Sequence, residues 1–319
     1  MAVTAAEVAE VHPRVAAHVR HTPVLSLHAA ELGVPGSAGS ARVLAKLDLL
    51  QPTGSFKVRG ATALLTDPDL AARLSEAGVV AASGGNFGLA IAWAAARLGV
   101  HATVVVPATS PRAKVAPIAA LGAELVVVQG VYADAAAVAA ERRERTGAVL
   151  AHAYDQRPVV AGQGTAAAEL LSHAGTLDTV LVACGGGGLL AGTIAAVADA
   201  GVRVVAVETE GTATLAAALA AGGPVDVEVT GLATSSLGAR RIGAHAWAVR
   251  ERIERSLLVT DAEVEAAQQR LWQTARLVAE PGGAAALAAL TSGRYEPAAD
   301  ERVGIILCGA NTDPATIGI

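Results

Sequence analysis

The sequence predicts an α/β protein with two open, mostly parallel sheets and helices on both faces, and three observations carry that expectation. From about Arg42 onward, short valine-rich runs alternate with alanine-rich stretches of helical length, the rhythm of βαβ units. Those runs are continuously apolar, as strands buried on both faces must be. The chain, at 319 residues, is long for one compact core, and it is 53% hydrophobic but only 3% aromatic. Ala-rich helices must therefore pack on Val-rich strands with little ring packing.

In chain order the expected strands are Val43–Leu47, Val79–Ala82, Ala102–Val106, Leu125–Val128, Val180–Ala183, Val204–Val207 and Gly304–Leu307. Helices are expected at Leu89–Leu98, Ala113–Leu121, Tyr132–Arg145, Gly164–Ser172 and Ala262–Arg276. Gly222–Pro224 and Ser292–Pro297 read as surface turns, and no repeat, linker or charge block marks a domain boundary. The chain ends eight residues after Asn311, so no appended regulatory domain is expected.

A formal charge of −5, with acids and bases mixed along the chain, offers no basic stripe for nucleic acid. Met1 to Val11 lacks the basic start and apolar segment of a signal peptide, and no apolar run reaches about 18 residues. A cytoplasmic protein without a membrane partner is expected. Cys184 and Cys308 form no CxxC pair, and the eight histidines form neither HExxH nor a close cluster, so no catalytic transition metal is expected.

Open parallel sheets bind ligands at the carboxyl ends of strands, in the loops that lead into helices. Four such loops are unusual: Gln51–Gly60, Ser83–Gly88, Cys184–Gly188 and Cys308–Asn311. In the third, a strand runs into Gly185, Gly186, Gly187 and Gly188 and then into an Ala/Leu-rich helix. Backbone amides there can converge on an anion with no side chain in the way, and the helix dipole adds a positive end. Phosphate is the natural guest. The same loop satisfies G-x-G-x-x-G/A through Gly186, Gly188 and Ala191, with Glu208 at about the distance of a ribose-binding acid. Taken alone, it leaves a nicotinamide-dependent oxidoreductase open.

The first loop places Lys57 beside Phe56 at the start of an apolar helix. Such a lysine either snorkels to solvent or sits in a partly dry pocket, where its amine loses its proton readily. Only the neutral amine can form a Schiff base.

Ser55-Phe56-Lys57-x-Arg59-Gly60-Ala61 resembles the cofactor-lysine motif of the fold-type-II pyridoxal-phosphate enzymes, the tryptophan synthase β family. Gly185–Gly188 resembles that family's phosphate loop, Ser83-Gly84-Gly85-Asn86 its substrate loop, and Cys308-Gly309-Ala310-Asn311 the strand end facing the cofactor's pyridine nitrogen. The four motifs stand in family order and spacing, from about Thr22 to the last residues, and they decide against the nicotinamide reading. Ser236-Leu237-Gly238, Arg241-Ile242-Gly243-Ala244 and Glu280-Pro281-Gly282-Gly283-Ala284-Ala285 are similar to the serine/threonine dehydratase branch.

The resemblance implies pyridoxal 5′-phosphate in a cleft between two domains. Residues 1–68 and 153–319 would form the larger, cofactor-binding domain, and 69–152 the smaller, mobile domain with the substrate loop. Lys57 is the implied catalytic residue. Phe56, Asn86, Gly185, Gly186, Gly187, Gly188, Leu189 and Cys308 are implied around the cofactor, and Ser83, Gly84, Gly85 and Asn86 on a small amino-acid substrate. A homodimer is a further implication.

The implied reaction is β-elimination from L-serine or L-threonine, with Lys57 taking the Cα proton and a 2-keto acid and ammonia as products. A neutral thiol at Cys308 would weaken the electron sink and favour prompt elimination; the plainer reading is an inert buried cysteine. Racemases of this branch carry a serine where Gly84 stands, so racemisation is expected to be poor. Glu208 matches a cation ligand of the branch, but Thr212 and Thr214 stand where divalent-metal members place other groups. That leaves a monovalent ion held mainly by carbonyls. A racemase or a β-replacement synthase of the same fold is the alternative reading.

Overall fold

The computed structural model describes residues 2–36, 41–110 and 112–318, apart from the side chains of 112–114. Its strands are β1 Val24–His28, β2 Arg42–Lys46, β3 Val79–Ala82, β4 Ala102–Pro107, β5 Glu124–Val128, β6 Val149–Ala151, β7 Thr179–Ala183, β8 Arg203–Thr209, β9 Arg255–Val259 and β10 Arg302–Ile306. They form two sheets, one ordered β1-β2-β10-β7-β8-β9 and the other β5-β4-β3-β6. The β1–β2 pair is antiparallel and every other pair is parallel.

All seven expected strands are present. The three that sequence reading missed, β1, β6 and β9, are all sheet edges. An edge strand is covered less completely, so it lacks the continuous apolar run that marks its inner neighbours. Three residues make up β6, and β1 has no fully buried residue.

The helices depart from expectation in an instructive way. The helix expected from Gly164 begins at Arg157 and runs to Ala174. Its glycines are contact points and do not break it. A Cβ on Gly164 would lie 2.6 Å from the Gly192 carbonyl oxygen of the neighbouring Gly188–Ala196 helix. Pro281–Thr291 is a further helix, buried through its first ten residues, so no amphipathic period announces it. The helix expected from Leu89 starts at Asn86, which puts that residue in the first turn. No helix among the described residues is long and apolar enough to cross a membrane.

A buried charge cluster fixes the lysine-bearing helix, Lys57–Leu65. Arg59 donates to Asp48 through Nε (2.6 Å) and Nη2 (2.9 Å), and to Glu169 through Nη1 and Nη2 (both 2.8 Å). Lys46 Nζ lies 2.6 Å from Glu169 Oε2. Burial by itself would raise the Glu169 carboxyl, but bonds from His12, Arg59 and Lys46 outweigh it and hold the group well below the usual carboxylate range. With burial opposing, Asp48 and Glu169 hold the Arg59 proton more tightly than usual. Lys46, Asp48, Arg59 and Glu169 are essentially inaccessible to water, so removing one leaves a buried charge uncompensated. Arg59→Met is therefore expected to lower unfolding stability by about 3–5 kcal/mol, read from urea denaturation. An unchanged midpoint and slope would contradict this.

Candidate active site

The chain leaving β10 ties three loops together. Cys308 O accepts from Phe56 N (2.9 Å), Gly54 O accepts from Ala310 N (2.8 Å), and Gly309 O accepts from Glu280 N (2.9 Å). Gly54 has φ +69°, and any side chain there would run into Asn311, so both backbone and space require glycine. These bonds bring the lysine loop, the Glu280 segment and Cys308 to one wall of a cavity of about 480 Å³.

Lys57 is half-buried, and its Nζ donates to Ala153 O at 2.9 Å. The amine lies 5.0 Å from the Phe56 ring centre and 6.0 Å from that of Phe87. Burial pushes it down to about 8, against the opposing pull of Glu280. An ordinary lysine is almost wholly charged at neutral pH, whereas this one has an appreciable neutral fraction.

Asn86 is oriented by its neighbours. Its Nδ2 donates to Glu280 Oε1 (2.6 Å), and its Oδ1 accepts from Asn311 Nδ2 (2.8 Å), which also donates to Thr53 O (2.8 Å). Sequence reading assigned no role to Glu280 or Asn311. A lone acid heading an otherwise apolar helix was the available signal for Glu280.

On the same cavity, Gly187 has φ +84° and caps the Gly188–Ala196 helix. Amides in the first turn of a helix have no acceptor within it and are free for an anion. A Cβ on Gly186 would strike the Tyr154 ring, and one on Gly187 would strike Ala246. Ser83, Gly84 and Gly85 lead into the first turn of the Asn86–Leu98 helix on the same cavity. A Cβ on Gly84 would lie 2.6 Å from Ser110 Oγ, so a serine placed there would have to displace Ser110. Cys308 is buried, with Sγ 3.5 Å from Gly282 O. Burial and Glu280 raise its thiol, with Lys57 opposing, so the group is a neutral thiol.

Phe56, Lys57, Ser83–Asn86, Gly185–Leu189 and Cys308 thus share one cavity, whereas Glu208 does not line it. Its carboxylate accepts from Leu215 N (2.7 Å), Ala216 N (2.9 Å) and Thr214 Oγ1 (3.2 Å), capping the Thr214–Ala221 helix. Burial raises Glu208 to about 7 despite those donors. Committed in this way, it is poorly placed for a ribose hydroxyl, which removes the support for a dinucleotide site. Thr214 also donates to Gly185 O, behind the glycine loop. Among the described residues, no three His, Cys, Asp or Glu side chains group to hold a metal ion.

The family model described as pyridoxal-phosphate dependent enzyme matches residues 15–309. A phenylserine dehydratase of Ralstonia pickettii is 37% identical over 314 residues, covering 97% of this chain and 93% of that protein. The biosynthetic L-threonine dehydratase IlvA of Escherichia coli K12 is 36% identical over 277 residues, covering 85% of this chain; the match spans 53% of the relative's length. Among solved structures, maize serine racemase superposes with a TM-score of 0.89 at 29% identity, covering 100% of this chain and 96% of that one.

The glycine loop tolerates no added side chain, so Gly186→Ala and Gly187→Ala are each expected to weaken pyridoxal phosphate binding by about tenfold or more. Absorbance titration of the cofactor-free variants reads the change. Unchanged affinity in both would place the phosphate elsewhere.

Proposed function

The chain belongs to the pyridoxal-phosphate dependent enzyme family, and on that premise we propose that it is an ammonia-lyase, converting a β-hydroxy amino acid such as L-serine or L-threonine to a 2-keto acid and ammonia. One observation carries the proposal: an amine held at about 8 by burial shares one cavity with a loop of glycines that opens a helix. That pairing fits an aldehyde and a phosphate on one molecule. Gly185–Leu189 would hold the phosphate, Asn86 the phenolic oxygen and Cys308 the ring nitrogen. When bound, pyridoxal phosphate supplies an aldehyde for the amine and a sink for the electrons of a broken Cα–H bond.

This chain's own residues do the rest. The Ser83 hydroxyl and the amides of Gly84–Asn86, where the chain enters a helix, suit the substrate carboxylate. Lys57 Nζ, free to lose its proton near neutral pH, takes the proton from substrate Cα. The β-hydroxyl then leaves, and hydrolysis returns the elements of water as ammonia is released. A neutral Cys308 cannot stabilise a protonated ring as a carboxylate would, which favours elimination over longer-lived chemistry. Residues 69–152 act as the smaller unit that closes on the substrate, and a monovalent ion held by Glu208 and neighbouring carbonyls belongs to the same proposal. Racemisation needs a proton donor on the face opposite Lys57, where Gly84 offers none; D-amino acid should therefore be a minor product beside keto acid.

Because only the neutral amine attacks an aldehyde, the rate at which cofactor-free protein takes up pyridoxal phosphate should rise with pH through a midpoint near 8. An ordinary lysine would place that midpoint near its usual ~10.4. Glu280→Gln removes a charge that favours the ammonium, so the midpoint should fall further. Stopped-flow absorbance over a pH series reads both, and a wild-type midpoint above about 10 would refute the dry-lysine reading.

A further inference from the structure

The whole chain holds three Trp, three Tyr and two Phe residues, and both Phe and two of the Tyr line this one cavity. Phe56 and Phe87 flank the Lys57 amine and keep it dry. The two tyrosines have no such duty. Tyr154 lies against the glycine loop, its ring edge-on to His152 at 4.6 Å between centres. Burial and the nearby Tyr132 phenol push its hydroxyl up to about 12, so it stays a neutral aromatic wall. Tyr132 opens the Tyr132–Thr146 helix at the rim and is 53% exposed.

An aromatic ring left half in water at the mouth of the cavity has uncovered contact area, and a substrate substituent can cover it. Hydrogen or methyl on the β-carbon would leave that ring wet. A carboxylate substituent would need a cation besides Lys57, which the reaction occupies, and the two lining arginines stand at the exposed rim; Arg241 is already bonded to Asp226 and to Pro224 O. An aryl substituent would stack or meet the tyrosines edge to face.

We propose that Tyr132 and Tyr154 set the specificity of this site, selecting β-hydroxy amino acids with an aryl group on the β-carbon over those with hydrogen or methyl. The inference rests on the lyase reading. Its chemistry is unchanged: water leaves and returns, ammonia is lost, the product is an aryl-substituted 2-keto acid, and no oxidant or reductant is needed.

The test compares kcat/KM for keto acid release from L-threo-3-phenylserine, L-threonine and L-threo-3-hydroxyaspartate, using full-length protein loaded with pyridoxal phosphate. Wild type should favour phenylserine over threonine by about tenfold or more, the scale of discrimination an apolar pocket achieves. Tyr132→Ala should reduce that ratio about tenfold, and Tyr132→Phe, which keeps the ring, should retain it. Preference of the wild type for threonine or hydroxyaspartate would overturn the inference and leave the lyase reading standing, as would an unchanged ratio in Tyr132→Ala. No keto acid from any of the three would refute the lyase reading itself. Because the wild-type panel and the Phe variant keep the ring, the inference can fail even where the Ala variant does not fold.

Discussion

The backbone bonds between Cys308–Ala310 and Gly54–Phe56 are the constraint on which the site depends. They join the end of a central strand to the loop that carries Lys57, and through Gly309 O they fix Glu280 as well. Three loops far apart in sequence are thereby held by main-chain atoms, which leaves their side chains free to face the cavity. Behind them, Arg59 sits two residues after Lys57 and is clamped by Asp48 and Glu169. The lysine helix is therefore pinned at its first turn from both sides. The proposed general base, which must meet one particular hydrogen, gains from such rigidity.

The electrostatics of the site follow from its dryness. Burial lowers the Lys57 amine and raises the Cys308 thiol, so both groups drift toward neutral forms. Glu280 opposes the first change and reinforces the second. It also bonds Asn86, so one carboxylate tunes the amine and orients the amide. A core of Ala, Val, Leu and Ile supplies the bulk of the molecule, and the few aromatic rings are spent disproportionately at the cavity.

Much of this was legible in the sequence, for physical reasons. Strands buried on both faces, such as β4 and β7, read as apolar runs, whereas the edges β1, β6 and β9 do not. The glycine loop and the lysine loop were legible because their chemistry is local: consecutive amides, or an amine beside a ring. Gly162 and Gly164 misled, because glycine's cost to a helix is local while the close approaches that offset it, of Gly162 to Arg59 and Gly60 and of Gly164 to Gly192, are tertiary. The charge cluster was not legible, since Arg59 meets Glu169 across 110 residues. Glu208 matches a cation ligand by its position in the chain; that its oxygens also accept backbone amides becomes visible only once the Thr214–Ala221 helix is packed.

Location of the covalent attachment point tests the central claim most directly. The lysines of this chain are Lys46, Lys57 and Lys114, and Lys46 is committed to the buried charge cluster. Borohydride reduction of the protein loaded with pyridoxal phosphate, followed by peptide mass mapping, would show which lysine carries the pyridoxyl group. Stoichiometric label on Lys57, lost in Lys57→Ala, is the expected result. Label confined to Lys46 or Lys114, or an undiminished label in Lys57→Ala, would contradict it.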